Sequence, residues 1–422
     1  MKILFALRLY TGLEDSMING SWEPKGVPTI YKLLEGLDKN HDIKVLLLHK
    51  EPGKMQYSKY RETRDKDVKF KEFKNTFTII TSLKNKGVGI YIFQKVLEEL
   101  THLIKIILYI HKEKPDLVYI DNANVWSAGF IARAFKIPVV LRLLGLYPYI
   151  RKLASQKLRI REKILKWCFR APYSLVINTK DGSGKSSDLK KILNNKTNYK
   201  LLLNGVDIPL SSELHQNKYD INRKILSKGI DRNSLTCLFI GKLETYKGCV
   251  TFVESIIQAC NKGLNVHGII IGEGSQKKKL HNLINKSNLA DHFTILGGLS
   301  HKEIFRYHKL CDLYISLNHF GNLSNSNLEA IKIGQAMILP KNLLPETDRE
   351  DVKLLGEDGI LWVENPYDVK GLINHIEAIY NDRTMLDKYS KNIKNRAKLI
   401  PTWNERINKE ALLLQNIVSG NR

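Results

Sequence analysis

The sequence predicts an α/β protein made of two consecutive open sheets of mainly parallel strands. Three observations carry that expectation: a length of 422 residues, short Val/Ile/Leu-rich runs that each lead into a helical pattern, and a restart of this rhythm after a polar stretch at Ser211–Ser234. A chain of this length exceeds one ordinary core and fits two domains of roughly 200 residues. Hydrophobic content of 43% and charged content of 26% are those of a folded globular chain and exclude extensive disorder.

In the first half the runs are Lys2–Leu7, Ile43–Leu48, Leu117–Ile120, Pro138–Leu141, Leu175–Asn178 and Leu201–Leu203. In the second they are Leu235–Ile240, Gly268–Ile271, Phe293–Leu296, Leu313–Leu317, Ala336–Leu339 and Ile360–Val363. Apolar runs without alternation mark strands covered on both faces, which requires crossover helices and hence parallel pairing. The expected division is a first domain over 1–210, a second over 211–400 and a closing segment over 401–422.

The opening run Ile3–Leu7 is followed at once by Arg8, so it reads as a first buried strand and not as a signal peptide. Tyr91–Ile110 is interrupted by Lys95, Glu98, Glu99, His102 and Lys105, which a membrane-spanning helix would not accommodate. The five cysteines, Cys168, Cys237, Cys249, Cys260 and Cys311, lack CxxC spacing, which argues against a disulfide framework or a zinc site. A cytoplasmic protein is expected.

The net charge of +24 is uneven: the first 200 residues hold 38 of the 67 Lys and Arg but only 19 of the 43 Asp and Glu. The first domain should therefore face something anionic: nucleic acid, an anionic membrane face or a phosphorylated lipid acceptor. Between Arg151 and Arg170 there are eight Lys or Arg and one Glu. On one continuous helix, Lys152, Arg159, Lys163, Lys166 and Arg170 form a cationic stripe opposite Leu158, Ile164, Leu165 and Cys168. Adhesion by charge, with the apolar side kept for the core, is the expectation. Such a stripe is equally built as the solvated face of a core helix.

Open parallel sheets bind ligands beyond the carboxyl ends of their strands, so the informative residues should follow strands. Leu238–Gly248 ends a strand at Gly241 and places Lys242 and Lys247 before a helix, an arrangement suited to a diphosphate. Ile269–Gly274 gives a glycine turn, Gly272-Glu-Gly274, where backbone can approach a ligand. Tyr314–Ala330 follows a strand with Asn, Ser and Gly, then a helix carrying Glu329. The plainer alternatives are solvated lysines, a structural turn, and helix capping by Ser324 or Asn325.

In these motifs the sequence resembles glycosyltransferase family 4. The matching residues are Asn204-Gly-Val-Asp207, Gly241-Lys-Leu-x3-Lys-Gly248, Gly272-Glu-Gly274 and Asn322–Ala330 with Gly334 after it. The resemblance implies the GT-B architecture of two Rossmann-like domains facing across a cleft, the last helix, Trp403–Val418, crossing back to the first domain. It implies transfer from a nucleotide-diphosphate sugar with retention at the anomeric carbon. By the same resemblance Lys242 and Lys247 hold the diphosphate, Glu329 accepts from ribose hydroxyls, Ser324 and Asn325 lie near the sugar, and Gly26 lets a first-domain loop approach the phosphates. Gly241, Gly272 and Gly274 complete the donor-binding set.

Two departures stand out. Members usually carry a Glu eight positions before the ribose-binding one, where this chain has Gly321, with His319 nearby. The first-domain segments Asp121–Asn124 and Arg142–Gly145 lack the histidine that many members have. Trp22 and Arg142 are the expected acceptor contacts, on first-domain loops. With no paired-carboxylate nucleophile, a same-face mechanism in which the leaving phosphate helps deprotonate the acceptor is expected. Asp65-Lys-Asp67, the one D-x-D, reads as solvated surface, so no essential metal is expected.

The resulting expectation is a metal-independent retaining glycosyltransferase acting on a glycan or lipid-linked acceptor in surface polysaccharide or lipopolysaccharide assembly. It should be peripheral to the inner face of the plasma membrane through its basic first domain. A nucleotide-sugar epimerase of the same architecture accounts for the donor motifs but not for that charge. A nucleic-acid binder accounts for the charge alone, since no RNP-like run, zinc spacing or helix-turn-helix is present.

Overall fold

A computed structural model describes residues 1–50, 58–81, 91–209, 233–341 and 347–420. The chain divides into two compact units: Met1–Thr179, Ser186–Leu202 and Trp403–Arg422 in the first, Lys180–Lys185 and Leu203–Thr402 in the second. The polar stretch from Ser211 lies outside the described residues up to position 232.

The first unit is built on β1 (Lys2–Arg8), β2 (Asp42–Leu48), β3 (Lys66–Val68), β4 (Phe77–Ile80), β5 (Leu117–Asp121), β6 (Val139–Leu143), β7 (Leu175–Thr179) and β8 (Tyr199–Leu202). These run in the order β3-β4-β2-β1-β5-β6-β7-β8, all parallel except β3. Alternate residues of β1 go to opposite faces, as the pleat requires. Ile3, Phe5 and Leu7 meet α1 (Thr11–Asn19), α2 (Pro28–Asp38) and the last helix, whereas Leu4 and Ala6 meet α3 (Tyr91–Glu113) and α4 (Val125–Ala134). The sequence pattern missed β3 and β4. The first is a three-residue edge strand with one apolar residue, and it is held by side chains: Asp67 accepts from Thr78, and Asp65 accepts from the Thr81 N–H and pairs with Lys105. The D-x-D carboxylates are thus exposed but occupied in pinning an edge strand.

Residues 151–170 do not form one helix. They comprise the end of α5 (Pro148–Arg151), a 3₁₀ turn at Lys152–Ala154 and α6 (Ile160–Phe169). Glu162 closes the start of α6 by accepting the Arg159 N–H at 2.8 Å, and it pairs with Lys152 at 2.6 Å. The expected single cationic stripe is broken at that cap. Then follow α7 (Ser186–Ile192) and β8.

The second unit contains β9 (Leu235–Ile240), β10 (Val266–Ile271), β11 (Phe293–Leu296), β12 (Leu313–Ile315), β13 (Met337–Pro340) and β14 (Leu361–Val363), all parallel in the order β11-β10-β9-β12-β13-β14. Its helices are α8 (Cys249–Asn261), α9 (Lys277–Lys286), α10 (His301–Leu310), α11 (Asn325–Ile333), α12 (Glu350–Leu355), α13 (Val369–Asn381) and α14 (Thr384–Arg396). The unit boundaries depart from 210 and 211. Lys180–Lys185 joins the second unit because Leu323 N–H donates to the Asp181 carbonyl, Asp348 N–H to the Gly184 carbonyl, and Lys180 pairs with Glu350 at 2.6 Å. Leu203 onward, including Asn204–Asp207, also belongs there, with Val206 N–H donating to the Pro401 carbonyl.

The final helix, α15 (Trp403–Gly420), returns to the first unit. Gly36 of α2 gives it room, since a Cβ there would lie 2.6 Å from Ile407. Its buried Glu410 accepts from Tyr119 of β5 and pairs with Arg406 at 2.6 Å. Burial raises the Glu410 pKa, but the Arg406 and Arg142 guanidiniums outweigh it and hold the carboxylate below its usual range. All five cysteines are free, and among the described residues no helix is long and apolar enough to cross a membrane.

Candidate active site

The carboxyl ends of β9 and β10 are locked together by backbone. Gly241 N–H donates to the Ile271 carbonyl and Leu243 N–H to the Glu273 carbonyl, at 3.0 and 2.9 Å. The glycines make this approach feasible: a Cβ on Gly272 would lie 1.9 Å from the Gly241 carbonyl oxygen, and one on Gly274 would lie 2.5 Å from that of Leu243. Gly272 also has φ +148°. The Gly-x-Gly turn is therefore explained by two loops packing on each other. Gly272→Ala is expected to destabilise the protein by at least about 2 kcal/mol, read from chemical denaturation.

From this locked pair the chain enters a 3₁₀ turn, Thr245–Lys247, and Gly248, with φ +73°, leads into α8. Lys242 is exposed and Lys247 is partly buried. Desolvation lowers the Lys247 pKa to about 8; the Asp181 carboxylate opposes this and the Lys242 ammonium adds to it. The ammonium lies 5.6 Å from the Tyr246 ring centroid, and that ring stacks on Phe320.

Asp181 is a carboxylate the sequence reading passed over. Its Oδ1 accepts from the Ser183 N–H at 3.0 Å and from the Ser183 hydroxyl at 2.6 Å. Burial raises its pKa against the pull of Ser183 and Lys247. The same segment accounts for Gly321: a Cβ there would lie 2.5 Å from the Asp181 carbonyl oxygen and 2.8 Å from the Ser183 nitrogen. No side chain fits at 321 because residues 181–183 occupy its space. Gly321→Glu is accordingly expected to cost about 1–3 kcal/mol by overpacking, checked by thermal melting. The signal that could have revealed Asp181 is its place in a glycine-containing loop directly after β7.

The segment after β12 runs Ser316 to Ser324 into α11. His319 is buried, its Nδ1 lies 3.2 Å from the Tyr367 hydroxyl, and among the described residues its Nε2 has no hydrogen-bond partner. Ser324 holds the N-cap position of α11 but makes no side-chain cap hydrogen bond, so the capping alternative is not realised. An uncapped helix start leaves N–H groups for an anion or a hydroxyl. Asn325 accepts from the Asn204 amide at 2.7 Å, which explains the Asn204 motif as a support for this segment. Glu329 is almost buried, and its Oε1 lies 2.8 Å from His301 Nδ1 at the start of α10. His301 was also missed, although the Ser300-x-x-Glu303 capping box marks it as the first residue of the helix that follows β11.

The structure thus brings Gly241, Lys242, Lys247, Gly272, Gly274, Ser324, Asn325 and Glu329 to the strand ends of one sheet. Gly26, Trp22 and Arg142 are in the first unit. Gly26 has φ +84° with space around it, just before α2. Trp22 does not present itself to a ligand: its ring packs on Phe70, Phe73 and Phe77, and its N–H donates to Glu35 at 2.8 Å. Arg142 is not on a loop but within β6, fully buried, donating to the carbonyls of Leu143 and Ile177 and to the Thr179 hydroxyl. It is a structural cation, and Arg142→Ala is expected to cost about 3–5 kcal/mol of stability by leaving buried partners unpaired.

What the first unit offers a ligand is a cavity of 440 Å³ beyond β1 and β5, lined in part by Arg8, Tyr10, Lys50, Asp121, Asn122 and Tyr149. Asn122 donates to the Tyr149 hydroxyl at 2.9 Å, Lys50 pairs with Glu99, and Asp121 accepts the Arg8 N–H at 2.9 Å. Burial raises the Asp121 pKa against these donors and cations.

A parallel sheet with two lysines and an uncapped helix start at its strand ends defines a domain suited to a diphosphate. Comparison with known proteins makes the class particular: residues 220–397 match the family described as Glycosyl transferases group 1. An uncharacterized glycosyltransferase of Methanocaldococcus jannaschii is 28% identical over 305 residues, 67% of this chain and 71% of that protein. Among solved structures, sucrose-phosphate synthase from Thermosynechococcus elongatus is similar at TM-score 0.71 and 14% identity, covering 100% of both chains. Anabaena HepE in complex with UDP and glucose is similar at TM-score 0.68 and 16% identity, covering 98% of this chain and 99% of that one. The fold is that of GT-B glycosyltransferases, and the second unit is similar in sequence to the group 1 glycosyltransferases.

Proposed function

We propose that the chain is a retaining, metal-independent transferase of the family 4 kind that moves a sugar from a nucleotide-diphosphate donor to a glycan or lipid-linked acceptor. Its setting is assembly of cell-surface polysaccharide or lipopolysaccharide on the cytoplasmic face of an anionic membrane. The observation that carries the donor reading is the convergence of Lys242, the desolvated Lys247 and the uncapped start of α11 at the strand ends of one sheet. Fixed positive groups with little water around them stabilise the charge that builds on a leaving phosphate. HepE, a protein of similar fold, holds UDP and glucose.

In this reading Lys242 and Lys247 hold the diphosphate, Glu329 accepts from the ribose hydroxyls under the control of His301, and Ser324 and Asn325 meet the sugar. Gly241, Gly272 and Gly274 shape the donor loops, and Gly26 keeps its place in the donor-binding set. The departing phosphate takes the acceptor proton on the face it leaves. Acceptor binding falls to the cavity beyond β1 and β5, with Arg8 and Lys50 as its cations. The basic first unit holds the enzyme at the membrane.

The test is calorimetric titration with UDP, GDP, ADP and CMP, repeated on Lys247→Ala and Glu329→Ala. Selective binding of one nucleotide, weakened in both variants, supports the reading; equal binding in the variants removes it. With the donor known, NMR of the first product formed reports the anomer, and a chelator should leave the rate unchanged.

A further inference from the structure

We propose that the first unit docks on an anionic bilayer through the joint outer surface of α3, α4 and α6, with apolar side chains entering the interfacial layer between cationic ones. This rests on the membrane setting just proposed, but it replaces adhesion by charge with shallow insertion at a defined face.

The three helices lie side by side on one face of the sheet, with α4 packed on both α3 and α6, so their outer sides form one surface. On α3, Phe93, Val96, Leu100, Ile104 and Leu108 recur at helical spacing and are 47–57% exposed. They make an apolar line about 22 Å long. On α4, Trp126 and Phe130 are exposed one turn apart, and on α6 the exposed set is Ile160, Ile164 and Trp167. The close approach of α4 and α6 is fixed by Gly129, where a Cβ would lie 2.9 Å from Cys168. Arg133 of α4 stacks over the Trp167 ring at 3.6 Å, joining the two helices' outer edges. Ile164 was expected inside but is exposed; the core contacts of α6 are made by Leu165, Cys168 and Phe169. A surface this apolar on adjacent helices is unusual unless something covers it.

Charge identifies the cover as anionic lipid. Along α6, Arg161 flanks the apolar line on one side and Lys163 and Arg170 flank it on the other, while the one carboxylate of the helix, Glu162, is paired with Lys152. A second copy of the same face would set like charges together, whereas headgroups neutralise them. Apolar groups on one side and Lys or Arg beside them are what an interfacial helix presents. Trp126 is also part of the cavity beyond β1 and β5, together with Leu165 of α6. The docked face and the cavity therefore share a wall, so an acceptor carried in the bilayer reaches the cavity without leaving the surface.

The test is flotation of the full-length protein with vesicles of phosphatidylcholine alone or with added phosphatidylglycerol. Binding is expected only with the anionic lipid. The double variant Ile104→Glu, Leu108→Glu should weaken it at least about tenfold, equal to 1.4 kcal/mol, with melting temperature and nucleotide binding unchanged. Brominated acyl chains should quench Trp167, read as loss of quenching in Trp167→Phe. Binding abolished by Arg161→Glu with Lys163→Glu but untouched by the Ile104 and Leu108 changes would overturn insertion and leave charge adhesion standing. No binding to either vesicle overturns both. A dimer in light scattering that the Ile104 and Leu108 changes dissociate would assign the face to a second copy and overturn the proposal.

Discussion

Replacing Lys247 with alanine is expected to lower the transfer rate by about 10² to 10³, the usual cost of removing a fixed group that stabilises developing charge. Lys242→Ala should cost less, since its ammonium is exposed and screened by water. The same lysine gives a pH signature. Its pKa of about 8 in the free protein means that the cation is present below that value and is lost as pH rises through it. A bound diphosphate favours the cation, so its affinity should be flat below about pH 8 and then fall by up to about tenfold per pH unit, one proton being linked to binding. Lys247→Ala should abolish this dependence, measured by calorimetry from pH 6 to 10. A slope unchanged in the variant would show that another group titrates.

Glu329→Ala is expected to raise the donor KM by about tenfold to a hundredfold, the loss of hydrogen bonds to a charged acceptor, with a smaller effect on kcat. The split differs from that of Lys247 because ribose hydroxyls are held equally in the ground and transition states. His301→Ala should produce a weaker version of the same change, since it removes the 2.8 Å contact that orients Glu329 and not the carboxylate itself. A nucleotide lacking both ribose hydroxyls gives the decisive cycle. It should bind the native protein about as weakly as the normal nucleotide binds Glu329→Ala, with little added loss when both changes are combined. Full additivity would place Glu329 away from the ribose.

The placement of much of the candidate donor site was legible because its residues follow strand ends, and strand ends are marked by the switch from an apolar run to glycine and polar residues. Lys242, Lys247 and Glu329 fall at such switches. Asp181 lies after a strand of the first half, and nothing local shows that it will pack with residues numbered 318–323. Arg142 failed for the opposite reason: an arginine ending an apolar run reads as a loop cation, yet here the strand continues through it and three acceptors neutralise its burial. Trp22 failed because its aromatic partners, Phe70, Phe73 and Phe77, are about fifty residues away.

By itself the sequence determined the α/β class, the parallel strands, the glycosyltransferase motifs and the excess of cations in the first half. Those properties depend on local periodicity, composition and spacing, which neighbours in the chain specify. Only the tertiary structure decided that Gly321 is fixed by the backbone of residues 181–183, that His301 lies against Glu329, and that α3, α4 and α6 expose apolar and cationic side chains on one surface. Each of these is a matter of which distant segment occupies a given space, and excluded volume and burial act between residues whose separation in sequence carries no signal.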